Sequence, residues 1–346
     1  MLSRFRVARY RFSLRALEDT CLPKYKGGML RGGFGNVFKR AVCIHRDWRA
    51  RQCAACLLQS RCAYAYVFET LPPPDVEITD KLSDAPRPFV LEPPLDRRTD
   101  YRAGDLLPFG LVLVGQGIPY LPYFIAVFQA LGEAGLGKER GRFQLQQVEA
   151  VHPLSGETGL VYRTADRSAR DCDLSVGYTA LETAAGMLPQ DRLKLRFLTP
   201  VRVKYDGDYV AEPPFHVLFR NVVRRISWLS YFHCGERWEA DFPALVAAAE
   251  EVATARLETT WVNWGRTSTR QQRDMDLGGF IGEAEYEGDL APFLPLMLLG
   301  SLVHVGKACT FGHGWYEVAN RQISKSANQQ IGEVAEASVG RGGVSE

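Results

Sequence analysis

Apolar and polar residues follow two periods along the first half of the chain, and these periods predict strands and helices. The pattern predicts four strands, at residues 4–14, 63–70, 106–114 and 142–151. Helical spacing of apolar residues predicts two helices, near 29–43 and 119–132. Between the second and third strands, residues 72–94 contain seven prolines and therefore predict a long irregular connection.

The second half of the chain repeats this order of elements. The pattern predicts strands at residues 193–205, 255–267, 278–287 and 315–318. It predicts helices at 215–232 and 290–305. A short alanine-rich helix at 241–254 interrupts the repeat and is interpreted as an insertion.

Each half therefore has the order strand, helix, strand, strand, helix, strand, which is the ferredoxin-like order. We predict an α+β protein with two tandem ferredoxin-like (RRM-like) domains, at residues 1–165 and 193–321, joined by a linker at 166–192. Residues 322–346 are polar and small, and they predict a disordered tail. Sheets of this kind are a common RNA-binding platform, but they host many unrelated functions as well.

Charge is distributed unevenly in this chain of 346 residues, although its net charge is only +2. Residues 1–62 hold 14 lysines and arginines against 3 acidic residues, so the remainder holds 28 against 37. A basic N-terminal part predicts a polyanionic partner, and a solvated basic face without a partner is the alternative. An apolar content of 46% fits a globular protein with real cores.

The sequence predicts neither a signal peptide nor a membrane span. Arginines interrupt the N-terminal apolar residues, and prolines and glycines punctuate the uncharged run at 106–132. Eight cysteines without a secretion signal predict reduced thiols and a cytoplasmic location.

Four of these cysteines, Cys43, Cys53, Cys56 and Cys62, form the pattern C-x9-C-x2-C-x5-C inside the first predicted domain. Four thiols within twenty residues predict a structural metal knuckle. Zinc is the first choice, an iron–sulfur cluster also uses four cysteines, and unligated thiols are the remaining alternative. His45 could replace one cysteine as a ligand.

A glycine-rich loop, V-G-K-A-C-T-F-G-H-G-W-Y-E-V at 305–318, lies between the last predicted helix and strand. Gly306, Gly312 and Gly314 permit a positive φ and a close approach of another backbone. Exposed N–H groups beside Lys307 can face phosphate oxygens. A tight turn that happens to hold a lysine is the alternative. The helix–loop–strand order excludes a Walker loop.

Three stretches in a fixed order resemble one known family. They are F-L-T-P-V-R-V-K at 197–204 with the helix at 215–229, then G-G-F-I-G-E-A-E-Y-E-G at 278–288, then the glycine-rich loop. This set resembles the CRISPR-associated RAMP endoribonucleases that process precursor CRISPR RNA, the Cas-six type. The resemblance covers the C-terminal half closely and the N-terminal half loosely. His313 departs from the family, which more often has an apolar residue between the last two glycines.

The resemblance implies tandem ferredoxin-like domains that bind CRISPR repeat RNA and cleave within the repeat. It implies attack by the RNA's own 2′-hydroxyl without a catalytic metal, which leaves a 2′,3′-cyclic phosphate and a 5′-hydroxyl. The mature guide RNA would stay bound, subunits of a CRISPR effector complex are further expected partners, and no membrane is involved. The alternatives are a repeat-RNA-binding module that does not cleave and a structural RAMP subunit of an effector complex.

Specific residues follow from this expectation. The family often supplies a histidine from the region of the first helix, where this chain has His45. Lys307 is the expected electrostatic group, and His313 is an added candidate for catalysis. The expected RNA-binding surface is the glycine-rich loop together with a basic face of Arg196, Arg220 and Arg224.

Overall fold

A computed structural model gives the chain a mixed α+β fold with antiparallel sheets, which confirms the predicted class. The structure describes residues 2–50, 52–70, 85–166, 168–263, 265–268, 273–276 and 278–319. The chain forms two compact units. Among the described residues, one unit holds Ala8–Ser175, and the other joins residues 2–7 to residues 176–319.

The unit Ala8–Ser175 contains two long helices and a large sheet. Its elements in chain order are β1 (Arg6–Ala16), β2 (Thr20–Cys21), α1 (Gly27–Val42), β3 (Phe89–Glu92), β4 (Asp100–Tyr101), β5 (Leu106–Val114), α2 (Leu121–Ala134), β6 (Phe143–Val151), β7 (Thr158–Arg163) and β8 (Ser168–Ala169). The large sheet has the strand order β3-β5-β1-β6-β7-β8. Phe34 of α1 stacks on Phe124 of α2 with ring centroids 4.5 Å apart, and both are buried in the core.

The alternation along β1 sets its two faces. Phe12 and Leu14 are fully buried in the core. The arginines between the apolar positions lie on the other face of the strand. There Arg9 pairs with Glu92 at 2.8 Å, and Arg11 pairs with Glu149 at 3.0 Å. Acidic partners therefore compensate much of the basic face predicted for this strand.

The strand predicted at residues 63–70 is wrong. This stretch is helical, with a π-helical turn at Ala65–Glu69 in which the N–H of Thr70 donates to the carbonyl of Ala65 at 2.7 Å. The helical turn brings Tyr64 and Phe68 onto one side, where their rings stack at 5.2 Å. Packing against the core therefore overrides the strand preference of a run rich in aromatic residues. The second strand of the sheet is β3, which falls inside the predicted irregular connection.

The other unit contains a four-stranded sheet covered by helices. Its elements are β9 (Val176–Gly177), α3 (Tyr178–Ala185), β10 (Arg192–Val201), β11 (Lys204–Tyr205), β12 (Asp208–Tyr209), α4 (Phe215–Leu229), α5 (Phe242–Glu250), β13 (Ala253–Val262), β14 (Gly265–Ser268), β15 (Arg273–Asp276), β16 (Gly279–Glu287), α6 (Leu294–Val303) and β17 (Tyr316–Val318). The sheet order is β13-β16-β10-β17. Arg196 on the central strand β10 faces Glu283 of β16 and Glu317 of β17 in the register.

Helices α4 and α6 pack together through aromatic side chains. The rings of Phe219 and Phe293 lie 4.8 Å apart, edge to face, and both are buried. Tyr316 of β17 donates its hydroxyl hydrogen to the carbonyl of Met297 at 2.7 Å, which joins the sheet to α6. This contact fixes the direction in which the chain leaves α6 and enters the glycine-rich loop.

The residues predicted as a linker, 166–192, hold β8, β9 and helix α3, and α3 packs against α6. The predicted tail at 322–346 lies outside the described residues. Within the part of the chain that the structure describes, no helix is both long and apolar enough to cross a membrane.

Candidate nucleic-acid interface

The backbone conformation of the loop after α6 requires glycine at several positions. Gly306, Gly312 and Gly314 have φ values of 85°, 87° and 74°. A Cβ atom at Gly306 would lie 2.4 Å from the carbonyl oxygen of Arg202, and one at Gly314 would lie 1.8 Å from that of Val305. The loop therefore packs against neighbouring backbone so closely that only glycine fits at these two positions.

Hydrogen bonds fasten this loop to the end of β10. The N–H of Lys307 donates to the carbonyl of Arg202 at 3.1 Å, and the N–H of Gly314 donates to that of Pro200 at 3.0 Å. These two N–H groups therefore do not face a phosphate, contrary to the expectation for the loop backbone. The loop instead fixes the end of β10 and leaves the side chain of Lys307 exposed.

His313 lies inside the unit and not on the loop surface. Its residue is 1% exposed, and burial, followed by the charges of His304 and Arg202, lowers the pKa of its imidazole to about 4. The ring is therefore neutral near pH 7. Its carbonyl oxygen contacts Nδ1 of His304 at 3.0 Å, and the ring of His304 stacks on Trp315. This burial argues against His313 as a catalytic group and supports a packing role.

A short hairpin formed by β11 and β12 extends the site beyond the residues expected from the sequence. Asp206 and Gly207 form its turn, with φ values of 48° and 95°. The guanidinium of Arg202 lies 4.0 Å from the ring centroid of Tyr209, and Nζ of Lys204 lies 4.9 Å from it. Two cations therefore flank one aromatic ring, an arrangement suited to phosphates and stacked bases.

Helix α4 adjoins this hairpin. Asn221 donates an amide hydrogen to the carbonyl of Lys204 at 3.4 Å, and its side-chain oxygen accepts a hydrogen bond from Arg224 at 2.7 Å. Partial burial and the charge of Arg220 lower the pKa of the Arg224 guanidinium. Arg220 is exposed one helical turn earlier. The structure therefore brings the part of α4 that carries Arg220 and Arg224 to the hairpin.

Arg196 does not belong to this cationic cluster. Its guanidinium pairs with Glu317 across β10 and β17 at 3.0 Å. The neighbouring Lys194 pairs with Glu283 at 2.8 Å. Acidic side chains therefore compensate the charges of Arg196 and Lys194 on this sheet. The expectation that Arg196, Arg220 and Arg224 form one basic RNA-binding face stays a prediction, and the structure gives Arg196 an acidic partner that is distant in sequence.

His45 and the cysteine cluster lie in the other unit. Cys43, Cys53, Cys56, Cys62 and His45 line one cavity, in which Sγ of Cys56 lies 3.6 Å from Nε2 of His45. Burial raises the pKa of the Cys53 thiol. Among the described residues, no three His, Cys, Asp or Glu side chains already have the spacing of a metal site.

Comparison with known proteins gives two family matches. A model described as CRISPR-associated endoribonuclease Cas6 matches residues 195–316, and a model described as an N-terminal domain matches residues 5–174. An uncharacterized protein of Archaeoglobus fulgidus is 24% identical over 306 residues, which cover 86% of this chain and 92% of that protein. The hairpin and the three glycines of the loop lie inside the range that the first model matches.

Two solved structures have a similar fold. The product complex of Cas6 (TTHB231) of Thermus thermophilus is 16% identical with a TM-score of 0.53, covering 90% of this chain and 98% of that chain. A chain of a partial Cas6-RT-Cas1–Cas2 complex is 12% identical with a TM-score of 0.57 over 92% of this chain. The present chain spans only 47% of the length of that second protein.

Proposed function

We propose that the chain is a Cas6-type protein that binds CRISPR repeat RNA and cleaves it, because the model described as CRISPR-associated endoribonuclease Cas6 matches residues 195–316. The observation that carries the proposal is the contact between the glycine-rich loop and β10. The hydrogen bond from Lys307 to Arg202 places an exposed lysine beside a cationic, aromatic hairpin. A polyanion whose bases can stack fits this surface.

We assign both units to the ferredoxin-like fold. Each unit has the chain order strand, helix, strand, strand, helix, strand. In a ferredoxin-like sheet the four strands lie side by side in the order second, third, first, fourth. The strand order β3-β5-β1-β6 supports this in one unit, and β13-β16-β10-β17 supports it in the other. The assignment explains why the ends of β10 and α6 meet, since both flank the last strand of their unit.

The reaction that we propose uses the 2′-hydroxyl of the RNA as the nucleophile. A base removes its proton, the oxygen attacks the adjacent phosphorus, and an acid protonates the leaving 5′-oxygen. The products are a 2′,3′-cyclic phosphate and a 5′-hydroxyl, and no catalytic metal is required. We propose that Lys307 offsets the charge that develops on the phosphate, because its ammonium is exposed beside the cationic hairpin.

We propose His45 as the group that transfers protons. The family resemblance supports this choice, because His45 lies shortly after the first helix, which ends at Val42. In the unit that contains the loop, His233, His304 and His313 are all buried. His216 is half-buried there, with its ring 5.7 Å from that of Tyr205, and it is the natural comparison variant.

An endonuclease assay with a bound-RNA readout tests this function. Purified protein is incubated with a transcript of two CRISPR repeats in excess chelator, and both cleavage and the retained RNA are measured. We expect one cut per repeat and retention of the product as guide RNA. Tight binding without cleavage would instead support a non-cleaving RNA-binding or structural subunit. Neither binding nor cleavage would reject the assignment of this surface to repeat RNA.

A further inference from the structure

The segment that follows α1 has an interior built from cysteines. None of its described residues, 43–50 and 52–62, is buried. The half-buried positions are Cys43, His45, Trp48, Cys53, Cys56, Gln59 and Cys62. Its largest aliphatic side chains face outward, with Leu57 fully exposed and Ile44 75% exposed. The burial of apolar side chains therefore does not hold this segment together.

Its backbone provides little support either. Two single 3-10 turns, Cys53–Ala55 and Gln59–Arg61, are the regular elements among its described residues. The N–H of Cys56 donates to the carbonyl of Cys53 at 3.1 Å, and that of Cys62 donates to the carbonyl of Gln59 at 3.3 Å. Such turns are exposed and individually weak. A segment with neither a core nor a ladder needs a covalent or metal cross-link to stay folded.

The cysteines are placed where such a link can form. Cys43 directly follows α1, Cys53 and Cys56 lie at the two ends of one turn, and Cys62 follows the next turn. All four line one cavity. The spacing of Cys53 and Cys56 is the two-residue spacing with which zinc knuckles supply a pair of ligands from one turn. The cavity therefore collects thiols from three points of the chain.

We propose that Cys43, Cys53, Cys56 and Cys62 hold one tetrahedral zinc ion. Zinc–sulfur bonds of about 2.3 Å place neighbouring sulfurs roughly 3.8 Å apart. Since no three ligand side chains among the described residues have the spacing of a metal site, binding draws the thiols together by side-chain rotation within the cavity. The ion ties these two turns to the end of α1 and supplies the interior that apolar residues do not.

Two neighbours fit a supporting role around the thiolates. Nε2 of His45 lies 3.6 Å from Sγ of Cys56, within reach of an N–H···S hydrogen bond. Lys39 lines the same cavity and places a positive charge beside the four sulfurs, with its Nζ 5.6 Å from the ring centroid of Tyr64. Hydrogen bonds and charges of this kind hold metal ligands in place. His45 therefore contacts one proposed ligand and is not proposed as a ligand itself.

Metal content of the full chain, purified under reducing conditions, tests the proposal. We expect one zinc per chain by native mass spectrometry, four thiols protected from alkylation, and a fall in melting temperature when a strong chelator removes the ion. Cys56→Ser should lose the zinc. Cys21→Ser should keep it, because Cys21 is exposed and lies outside the cavity. If Cys56→Ser fails to fold, the zinc stoichiometry and the thiol protection of the wild-type chain still test whether the site binds zinc.

Three outcomes would overturn the inference. Folded wild-type chain, supplied with zinc, that binds none and exposes all four thiols would reject a metal site. Visible absorbance together with bound iron and sulfide would show that the four cysteines hold an iron–sulfur cluster instead of zinc. Loss of zinc in His45→Ala together with its retention in Cys43→Ser would make His45 the fourth ligand. None of these outcomes depends on RNA cleavage, so the proposed function is tested separately.

Discussion

The backbone N–H of Lys307 donates a hydrogen bond to the carbonyl oxygen of Arg202 at a distance of 3.1 Å. This contact joins the loop after α6 to the residue that leads from β10 into the basic hairpin. It places the backbone of Lys307 next to that of Arg202, whose guanidinium lies over the ring of Tyr209. The predictions about RNA below depend on that juxtaposition.

Replacing Lys307 by alanine should weaken both RNA binding and cleavage, because its charge would act on the phosphate before and during the reaction. We expect the single-turnover rate to fall about 10²-fold, the loss typical for removing one group that stabilises transition-state charge. Lys194→Ala is the matched control, since the ammonium of Lys194 already pairs with Glu283 at 2.8 Å. Equal cleavage rates for Lys307→Ala and Lys194→Ala would show that Lys307 does not take part in the reaction.

The double variant Arg220→Ala/Arg224→Ala should flatten the salt dependence of binding. If each arginine contacts one phosphate of single-stranded RNA, the slope of log K against log salt should decrease by about 1.4. Titration by fluorescence anisotropy at several salt concentrations measures this slope. Arg196→Ala should leave it unchanged, because Glu317 already pairs with that guanidinium. If Arg196→Ala alone gives a smaller slope, the RNA binds on the outer face of the sheet and not at the hairpin.

Tyr209→Leu should weaken binding through lost stacking, whereas Tyr209→Phe should bind almost normally. The ring of Tyr209 is flanked by Arg202 and Lys204, and base stacking on such a ring is worth about 1–3 kcal/mol. The same anisotropy titration compares the two variants at constant salt. Equal weakening by both would point to the hydroxyl group and against stacking.

Burial of His313 should make the free energy of unfolding depend on pH. Its folded pKa of about 4 lies below the ordinary histidine pKa of about 6.5, so the unfolded chain binds the additional proton between these values. Stability should therefore fall as the pH drops from 6.5 towards 4, by up to about 3 kcal/mol. Chemical denaturation across this range measures the effect. His313→Gln should flatten this part of the profile, and an unchanged profile would contradict the neutral buried ring.

The fold could be predicted where the periodicity was long and regular. Leu193, Leu195 and Phe197 alternate with charged residues along β10, and all three are buried in the structure. The strand β3 could not be found this way, because four residues among prolines carry too little periodicity. The strand predicted at 63–70 is wrong because the aromatic residues of this stretch suit either a strand or a packed helical turn.

The candidate site was only partly predictable for a different reason. The spacing of the glycines around Lys307 predicts a loop, and in the structure the lysine is exposed on that loop. The pairing of Arg196 depends on Glu317, which is distant in sequence and becomes its neighbour only through the sheet register. The hairpin has a usable signal in the sequence, since Asp206-Gly207 is a common two-residue turn and directly follows the strand predicted at 193–205.

The assignment of His45 has a direct kinetic test. His45→Ala should slow single-turnover cleavage by about 10²–10⁴-fold, the usual contribution of a proton transfer, with little change in RNA affinity. His216→Ala is the comparison, because its half-buried ring lies beside the hairpin. Normal cleavage by His45→Ala with a large loss in His216→Ala would transfer the catalytic role to α4 and leave the rest of the mechanism intact.

The central claim is that the RNA supplies its own nucleophile. A repeat RNA with a single 2′-deoxy nucleotide immediately 5′ of the cut removes that nucleophile and leaves every phosphate in place. Single-turnover cleavage in excess chelator, followed by analysis of the ends of the unmodified RNA, is the most direct measurement. We predict that the deoxy RNA binds normally and stays intact, while the unmodified RNA yields a 2′,3′-cyclic phosphate and a 5′-hydroxyl. Cleavage of the deoxy RNA at the same position would contradict the mechanism.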